Sequence, residues 1–164
     1  MEDPMSIDGL GRILEGREGK PSQLVEVLQD IQEAHGYLSE NVMKIVSEKL
    51  GVPLIEVFRV ANFYKAFSLV PRGRHLLTLC TGTACHVRGA PLLISEAASQ
   101  LGAEPGETTR DGLFTLECVN CLGACAIGAV AVLDGQVLPH MTPSKLRRLI
   151  RSIQRTEQLE VANA

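Results

Sequence analysis

Leu79-Cys80-Thr81-Gly82-Thr83-Ala84-Cys85-His86 and Cys121-Leu122-Gly123-Ala124-Cys125 are the two stretches around which the chain is organised. The first contains a C-x4-C pair and the second a C-x3-C pair, with 35 residues between Cys85 and Cys121. All five cysteines of the chain lie from Cys80 to Cys125, Cys118 being the fifth. Immediately upstream, His75 to Cys80 reads as a short apolar strand that delivers Cys80 at its end, and Phe114 to Val119 reads as a second strand ahead of the second pair. Both pairs therefore fall in loops that follow strands, where a rigid sheet holds exposed ligands in place.

Four thiolates in two short loops suit a soft metal centre, because thiolate sulfur selects zinc, Cu(I) or iron–sulfur clusters over hard cations. Gly82 and Gly123 let the backbone curl close around such a centre, so that N–H groups reach the sulfurs. Spacing alone leaves the metal open. The C-x4-C half fits a zinc knuckle as well as an iron–sulfur loop, and a redox disulfide stands behind both.

Outward from this core, the segment after Cys85 reads as a helix over Pro91, Leu92, Leu93, Ile94, Ala97, Ala98 and Leu101, stopped by Gly102. Ala129 to Leu133 and Gln136 to Pro139 flank Asp134-Gly135, a two-residue hairpin signal. Thr142 caps a last helix with Pro143 in its first turn and Leu146, Leu149, Ile150 and Ile153 inward. Strand, helix, strand, hairpin, helix is an α/β (α+β) layer order compatible with a thioredoxin-like domain. That domain is expected over residues 71–155, after the Pro71-Arg72-Gly73 break, with 156–164 as a frayed tail.

The N-terminal part, residues 1–70, reads as a helical bundle. Leu24, Val25, Leu28, Ile31 and Gln32 mark one helical face, with Pro21 in the first turn and Gly36 at the end. Ser39 caps a second helix, with Val42, Ile45, Val46 and Leu50 inward and Gly51 closing it. Pro53 opens a third with Leu54, Ile55, Val57, Phe58, Val60 and Ala61 facing in. Tyr37, Phe58, Phe63, Tyr64 and Phe67, five of six aromatics in the chain, are expected mainly to pack this bundle. Residues 1 to about 20 read as a short helix or a mobile arm.

At 164 residues, 45% hydrophobic and 21% charged, the chain is globular, not disordered. Sixteen basic against 19 acidic residues give a net −3 and no electrostatic case for nucleic acid. The acidic start Met1-Glu2-Asp3-Pro4 lacks a secretory layout. The longest uncharged apolar run, Leu122 to Leu133, has 12 residues, short of the roughly 20 that span a bilayer. A reducing cytosol and no direct membrane insertion are expected. No G-x-G-x-x-G or G-x4-G-K-[ST] phosphate loop and no catalytic Ser/His/Asp or Cys/His set is present, so no catalytic residue is nominated.

An ordered series of motifs over about residues 20 to 153 resembles the thioredoxin-like [2Fe-2S] family typified by the 24 kDa subunit of respiratory complex I. The same module recurs in NAD-dependent hydrogenases, formate dehydrogenases and electron-bifurcating complexes. The matching pieces are Asp30-Ile31-Gln32-Glu33 with Gly36-Tyr37-Leu38-Ser39, Val60-Ala61-Asn62-Phe63-Tyr64 with Phe67, and Pro71-Arg72-Gly73-Arg74-His75. They continue through Cys80 to Ala90, Gly106-Glu107-Thr108-Thr109-Arg110-Asp111-Gly112, Phe114-Thr115-Leu116-Glu117 and the Cys121 to Cys125 loop. The resemblance implies that Cys80, Cys85, Cys121 and Cys125 ligate one [2Fe-2S] cluster. It further implies an electron-transfer subunit of a multisubunit NAD(P)H-linked oxidoreductase, with FMN and NAD on a partner subunit, further iron–sulfur subunits beside it, and docking through the helical bundle. The alternatives are a free diffusible ferredoxin and a zinc-stabilised scaffold.

The chain departs from the family pattern at Asn62, at the additional Cys118, at Ala126-Ile127-Gly128-Ala129 and at Val137-Leu138-Pro139-His140-Met141. Cys118 reads mainly as a buried or bystander thiol, with a substitute-ligand or redox-partner role as the alternative. His86 lacks the second histidine that Rieske ligation needs. Arg72, Arg74 and Arg88 flank the first cysteine loop and are candidates to steady a negative cluster. Arg147, Arg148, Arg151 and Arg155 make a basic stripe on the last helix that reads as solvated.

Overall fold

The computed structural model describes residues 7–162, which fall into two compact units divided between Arg72 and Gly73. The first unit is built of four helices, α1 (Ile7–Leu14), α2 (Leu24–His35), α3 (Glu40–Leu50) and α4 (Leu54–Phe63), with a 3-10 turn at Pro21–Gln23. Of the two readings of residues 1 to about 20, the short helix is the one present, with Leu10 and Leu14 of α1 buried in the same core as Val27, Leu28 and Ile31 of α2. The mobile-arm alternative thus fails from Ile7 onward, and residues 1–6 lie outside the described residues. Capping follows the sequence: Ser39 Oγ accepts from the Val42 N–H at 3.3 Å, and Gly36 and Gly51 close their helices with φ of 77° and 68°.

The apolar faces need correcting in detail. Val27, not Val25, is the fully covered valine of α2, and Met43 takes a core place ahead of Ile45 in α3. In α4 only Val57 and Ala61 are buried, whereas Leu54, Ile55 and Phe58 are exposed. The aromatics do not fill the bundle. Phe63 is 78% exposed, Tyr64 and Phe58 are nearly half exposed, and of these three and Phe67 only Phe67 enters the core. Seven of the ten residues of α4 are apolar and spread around most of the helix, and α2 and α3 cover just one stripe of it. Gln32 is buried because it has work for both ends of its amide. Its Nε2 donates to the Gly36 carbonyl, and its Oε1 accepts from the Ser68 N–H at 2.7 Å, so the segment after α4 is pinned back to α2.

The second unit is a four-stranded sheet in the order β2-β1-β3-β4, formed by β1 (His75–Cys80), β2 (Phe114–Val119), β3 (Ala131–Leu133) and β4 (Gln136–Leu138). β1 and β2 are parallel, joined through α5 (Thr83–Val87) and α6 (Ala90–Leu101), and β3 and β4 are antiparallel additions. The Asp134-Gly135 turn closes the β3–β4 hairpin with φ of 48° and 83°, the two positive values that a type I′ turn requires. Leu77, Leu79, Leu116 and Ala131 on the sheet pack with Leu93 and Ala97 of α6 and with Leu146 and Ile150 of α7 (Pro143–Ala162). Thr142 Oγ1 accepts from the Lys145 N–H at 3.3 Å, the N-cap the sequence indicated.

The expected fraying from Thr156 does not occur: α7 runs to Ala162. Glu157, with its side chain 16% exposed, ion-pairs with Arg74 and lies 3.4 Å from His75 Nε2, which anchors this last stretch to the start of β1. Residues 163–164 lie outside the described residues. The basic stripe on α7 is partly spent within the unit, since Arg147 forms a two-pronged pair with Glu96 of α6 at 2.7 and 2.8 Å. No helix among the described residues is long and apolar enough to cross a membrane.

Candidate metal centre

Alternation along β1 sends Leu77 and Leu79 into the core under α6 and α7, so Cys80, the next residue, points to the other side of the sheet at its C-terminal end. There it meets Cys85, which the one-turn helix α5 carries inward. Cys80 and Cys85 are 3% and 1% exposed and share a small core with Ala90 and Val130. Cys121 and Cys125, on the loop after β2, are exposed. The structure therefore brings together all four cysteines nominated from the sequence, two on a buried inner wall and two on an outer rim.

Hydrogen bonds converge on the sulfurs. Burial would raise the Cys80 thiol, yet N–H groups of Gly82 and Leu122, together with the Cys85 and Cys121 thiols, hold it below its ordinary value. Cys85 is pushed up by burial and by its bond to Cys80, and the Val130 N–H opposes that rise. Cys125 is pushed up first by its bond to Cys121 and then by the Cys121 charge. The Gly123 N–H donates to Cys121 Sγ at 3.3 Å. Each thiolate thus disfavours its neighbours, and positive metal in their midst removes that repulsion while the N–H donors remain.

Two glycines let the backbone approach the sulfurs. A Cβ on Gly82 would sit 2.9 Å from the Asn120 carbonyl oxygen and 3.6 Å from Cys121 Sγ. One on Gly128 would sit 3.1 Å from Cys85 Sγ and 3.1 Å from Arg88 Nη1. Gly123, with φ of 76°, makes the sharp turn inside the second loop. Gly82 and Gly123 are legible in advance. Gly128 is not, since its stretch stands out in the sequence only as a departure from the family pattern.

The structure sorts the remaining candidates. Cys118 pairs with Leu79 across β1 and β2 and packs against the helix-covered core, so it faces away from Cys80. Burial raises its thiol. His86 is exposed and offers no ring contact to the site, while His75 binds Asp134 at 2.7 Å at the far end of β1. Arg74 sits at that far end too, paired to Glu157, and is removed by the length of β1, about 17 Å at ~3.3 Å per residue, from the cysteine loops. Its nomination as a cluster-steadying cation is therefore corrected, and Arg72 closes the first unit. Arg88 alone of the three lines the depression around Cys121 and Cys125.

Among the described residues no group of three or more His, Cys, Asp or Glu side chains is arranged to hold a single metal ion. Structural zinc needs four ligands about one centre. Four cysteine sulfurs with N–H donors converging on them are a donor set that suits an iron–sulfur cluster.

Comparison with known proteins agrees with this geometry. The family model described as thioredoxin-like [2Fe-2S] ferredoxin matches residues 10–154. The NADP-reducing hydrogenase subunit HndA of Solidesulfovibrio fructosivorans is 32% identical over 85% of this chain and 81% of its own. An NADH-quinone oxidoreductase subunit from Escherichia coli (strain K12) is 32% identical over 77% of this chain and 76% of its own. A crystal structure of an NAD+-reducing [NiFe]-hydrogenase in the air-oxidised state shares the fold, with a TM-score of 0.71 at 21% identity over 86% of this chain. This chain spans about a quarter (24%) of that solved chain. With the motif order, the cysteine geometry and these matches in agreement, the chain belongs to the thioredoxin-like [2Fe-2S] ferredoxin family.

Proposed function

We propose that this protein is an electron-transfer subunit carrying one [2Fe-2S] cluster within a multisubunit NAD(P)H-linked oxidoreductase. The observation that carries the reading is the gathering of Cys80, Cys85, Cys121 and Cys125 around shared N–H donors at one end of a rigid sheet. Cys80 and Cys85 would hold the inner side of the cluster and Cys121 and Cys125 the outer. When bound, the cluster supplies one-electron transfer and, with four cysteine ligands, no open position for substrate.

The chain's own residues do the rest. N–H groups of Gly82, Leu122, Gly123 and Val130 stabilise negative charge on sulfur. Burial of Cys80 and Cys85 keeps water from the inner wall, and exposure of Cys121 and Cys125 lets an electron donor approach closely. The relatives named above are subunits of a hydrogenase and of an NADH-quinone oxidoreductase. A partner subunit holding FMN and NAD(P)H, with further iron–sulfur subunits, is the corresponding proposal here. Ile55, Phe58, Phe63 and Tyr64, exposed on and just after α4, supply an apolar docking face for it. A free diffusible carrier has no use for such a face. A reducing cytosol is the location that goes with this reading.

The test is anaerobic purification of the native assembly. Iron and labile sulfide in equal amounts, with a spectrum lost on serine substitution of the four cysteines, and co-elution with a flavoprotein are expected. A colourless, zinc-containing monomer overturns the reading.

A further inference from the structure

We propose that Arg88 is a positioning residue that straps the second cysteine loop to the first and thereby raises the reduction potential of the cluster, an inference that rests on the cluster reading above. Arg88 caps the C-terminus of α5, the helix that carries Cys85. Its guanidinium crosses to the other loop, where Nη1 donates to the Cys125 carbonyl at 2.5 Å and to the Ala126 carbonyl at 3.4 Å. One side chain therefore joins the backbone beside one nominated ligand to the backbone of another, across 37 residues of sequence.

The strap needs the gap at Gly128. A Cβ there would stand 3.1 Å from the guanidinium nitrogen and 3.1 Å from Cys85 Sγ, so the two atoms lie within twice that distance of each other. The cation is held close to sulfur by a bond to main chain, not by a flexible ion pair, and no carboxylate competes for Nη1 in these contacts. Each electron added makes the thiolate-bound site more negative, so a fixed positive charge beside it favours the reduced form. Arginine suits the position because its planar fork is always charged and pre-organised for carbonyl oxygens.

Arg88 is exposed, so water screens its charge. Coulomb's law near 6 Å with a dielectric close to that of water gives about a threefold change in the ratio of reduced to oxidised cluster. For a one-electron couple, threefold corresponds to about 28 mV.

The experiment is a potentiometric titration with EPR detection on wild type, Arg88→Lys and Arg88→Gln, each as the full chain loaded with iron and sulfide. Arg88→Gln is expected to need a potential about 28 mV lower for half reduction, and Arg88→Lys to shift less in the same direction. If Arg88→Gln loses its cluster while Arg88→Lys keeps one, the Arg88→Lys potential decides: a value below wild type supports the inference, and a wild-type value overturns it. Arg88→Gln with the wild-type potential overturns it. Equal loss of cluster from both variants overturns it as well, because Arg88 would then be a structural residue with no electrostatic part. A wild type that takes up no [2Fe-2S] cluster sinks instead the function proposed above.

Discussion

Leu79 and Cys118 stand opposite each other in the parallel β1–β2 pairing, on the face that α6 and α7 cover. Because neighbours along a strand point to opposite faces, Cys80 projects away from Cys118. The fifth cysteine is thus next to the ligand set in sequence and behind it in space. Cys118→Ser is expected to keep the full iron content and spectrum and to lose about 1 kcal/mol of stability from placing a hydroxyl in half-buried apolar surroundings. Iron analysis and urea unfolding check both halves, and a variant without iron would make Cys118 a ligand.

Gly82 and Gly11 give a matched pair. An alanine methyl at Gly82 runs into the Asn120 carbonyl oxygen at 2.9 Å, a backbone atom that moves only with the second cysteine loop. At Gly11, inside α1, it meets nothing within 4 Å. Gly82→Ala is expected to reduce cluster occupancy severalfold, and Gly11→Ala to raise stability by up to about 1 kcal/mol through helix propensity. Visible absorbance per chain and thermal melts separate the two effects.

Exposed apolar side chains of α4 lead to a partner prediction. Phe63 at 78% exposure contributes little to the fold of this chain, so Phe63→Ser combined with Ile55→Ser should leave the melting behaviour and the cluster spectrum close to wild type. The same pair should weaken association with the flavin-carrying partner proposed above at least tenfold, about 1.4 kcal/mol, the scale of a truncated interface anchor. Co-purification at equal expression reads the outcome, and an undiminished yield of complex would move the docking face elsewhere.

The Glu96–Arg147 pair yields a pH dependence. The Arg147 guanidinium bonds Glu96 and holds its carboxyl below the usual 4.5. A carboxylate depressed in the folded state stabilises fully above its unfolded value, and that contribution fades as pH falls through the folded value. Wild type should therefore exceed Glu96→Gln in stability at neutral pH by a small margin that closes in acid below 4.5. Parallel denaturation curves at pH 7 and in acid test the sign; a margin that grows in acid contradicts the pairing.

Local signals in the chain were readable where local forces decide. Ser39, Gly36, Gly51 and Thr142 cap the helices they mark, and Asp134-Gly135 turns the hairpin, because each acts on backbone within a few residues. Both strands ahead of the cysteine loops, His75–Cys80 and Phe114–Val119, also fall at the bounds read from the sequence. Misreadings cluster where distant elements decide. The aromatics after Val57 look like core material from composition, yet α2 and α3 cover only one stripe of α4 and leave Phe58, Phe63 and Tyr64 outside. Arg74 is close in sequence to the first cysteine loop, but a strand lies between them and Glu157 holds it at the far end. The continuation of α7 past Thr156 depends on that same contact, made to a residue over 80 positions earlier.

What the sequence determined by itself is the donor set, two pairs of thiols in loops that follow strands, together with the order of motifs that marks the family. Only the tertiary structure decided which cysteine turns its back on the site, which arginine reaches across it, and which glycine leaves room for that reach. The reason is physical: spacing along a chain sets the chemistry available, whereas facing, burial and through-space charge exist only once segments far apart in sequence have packed against each other.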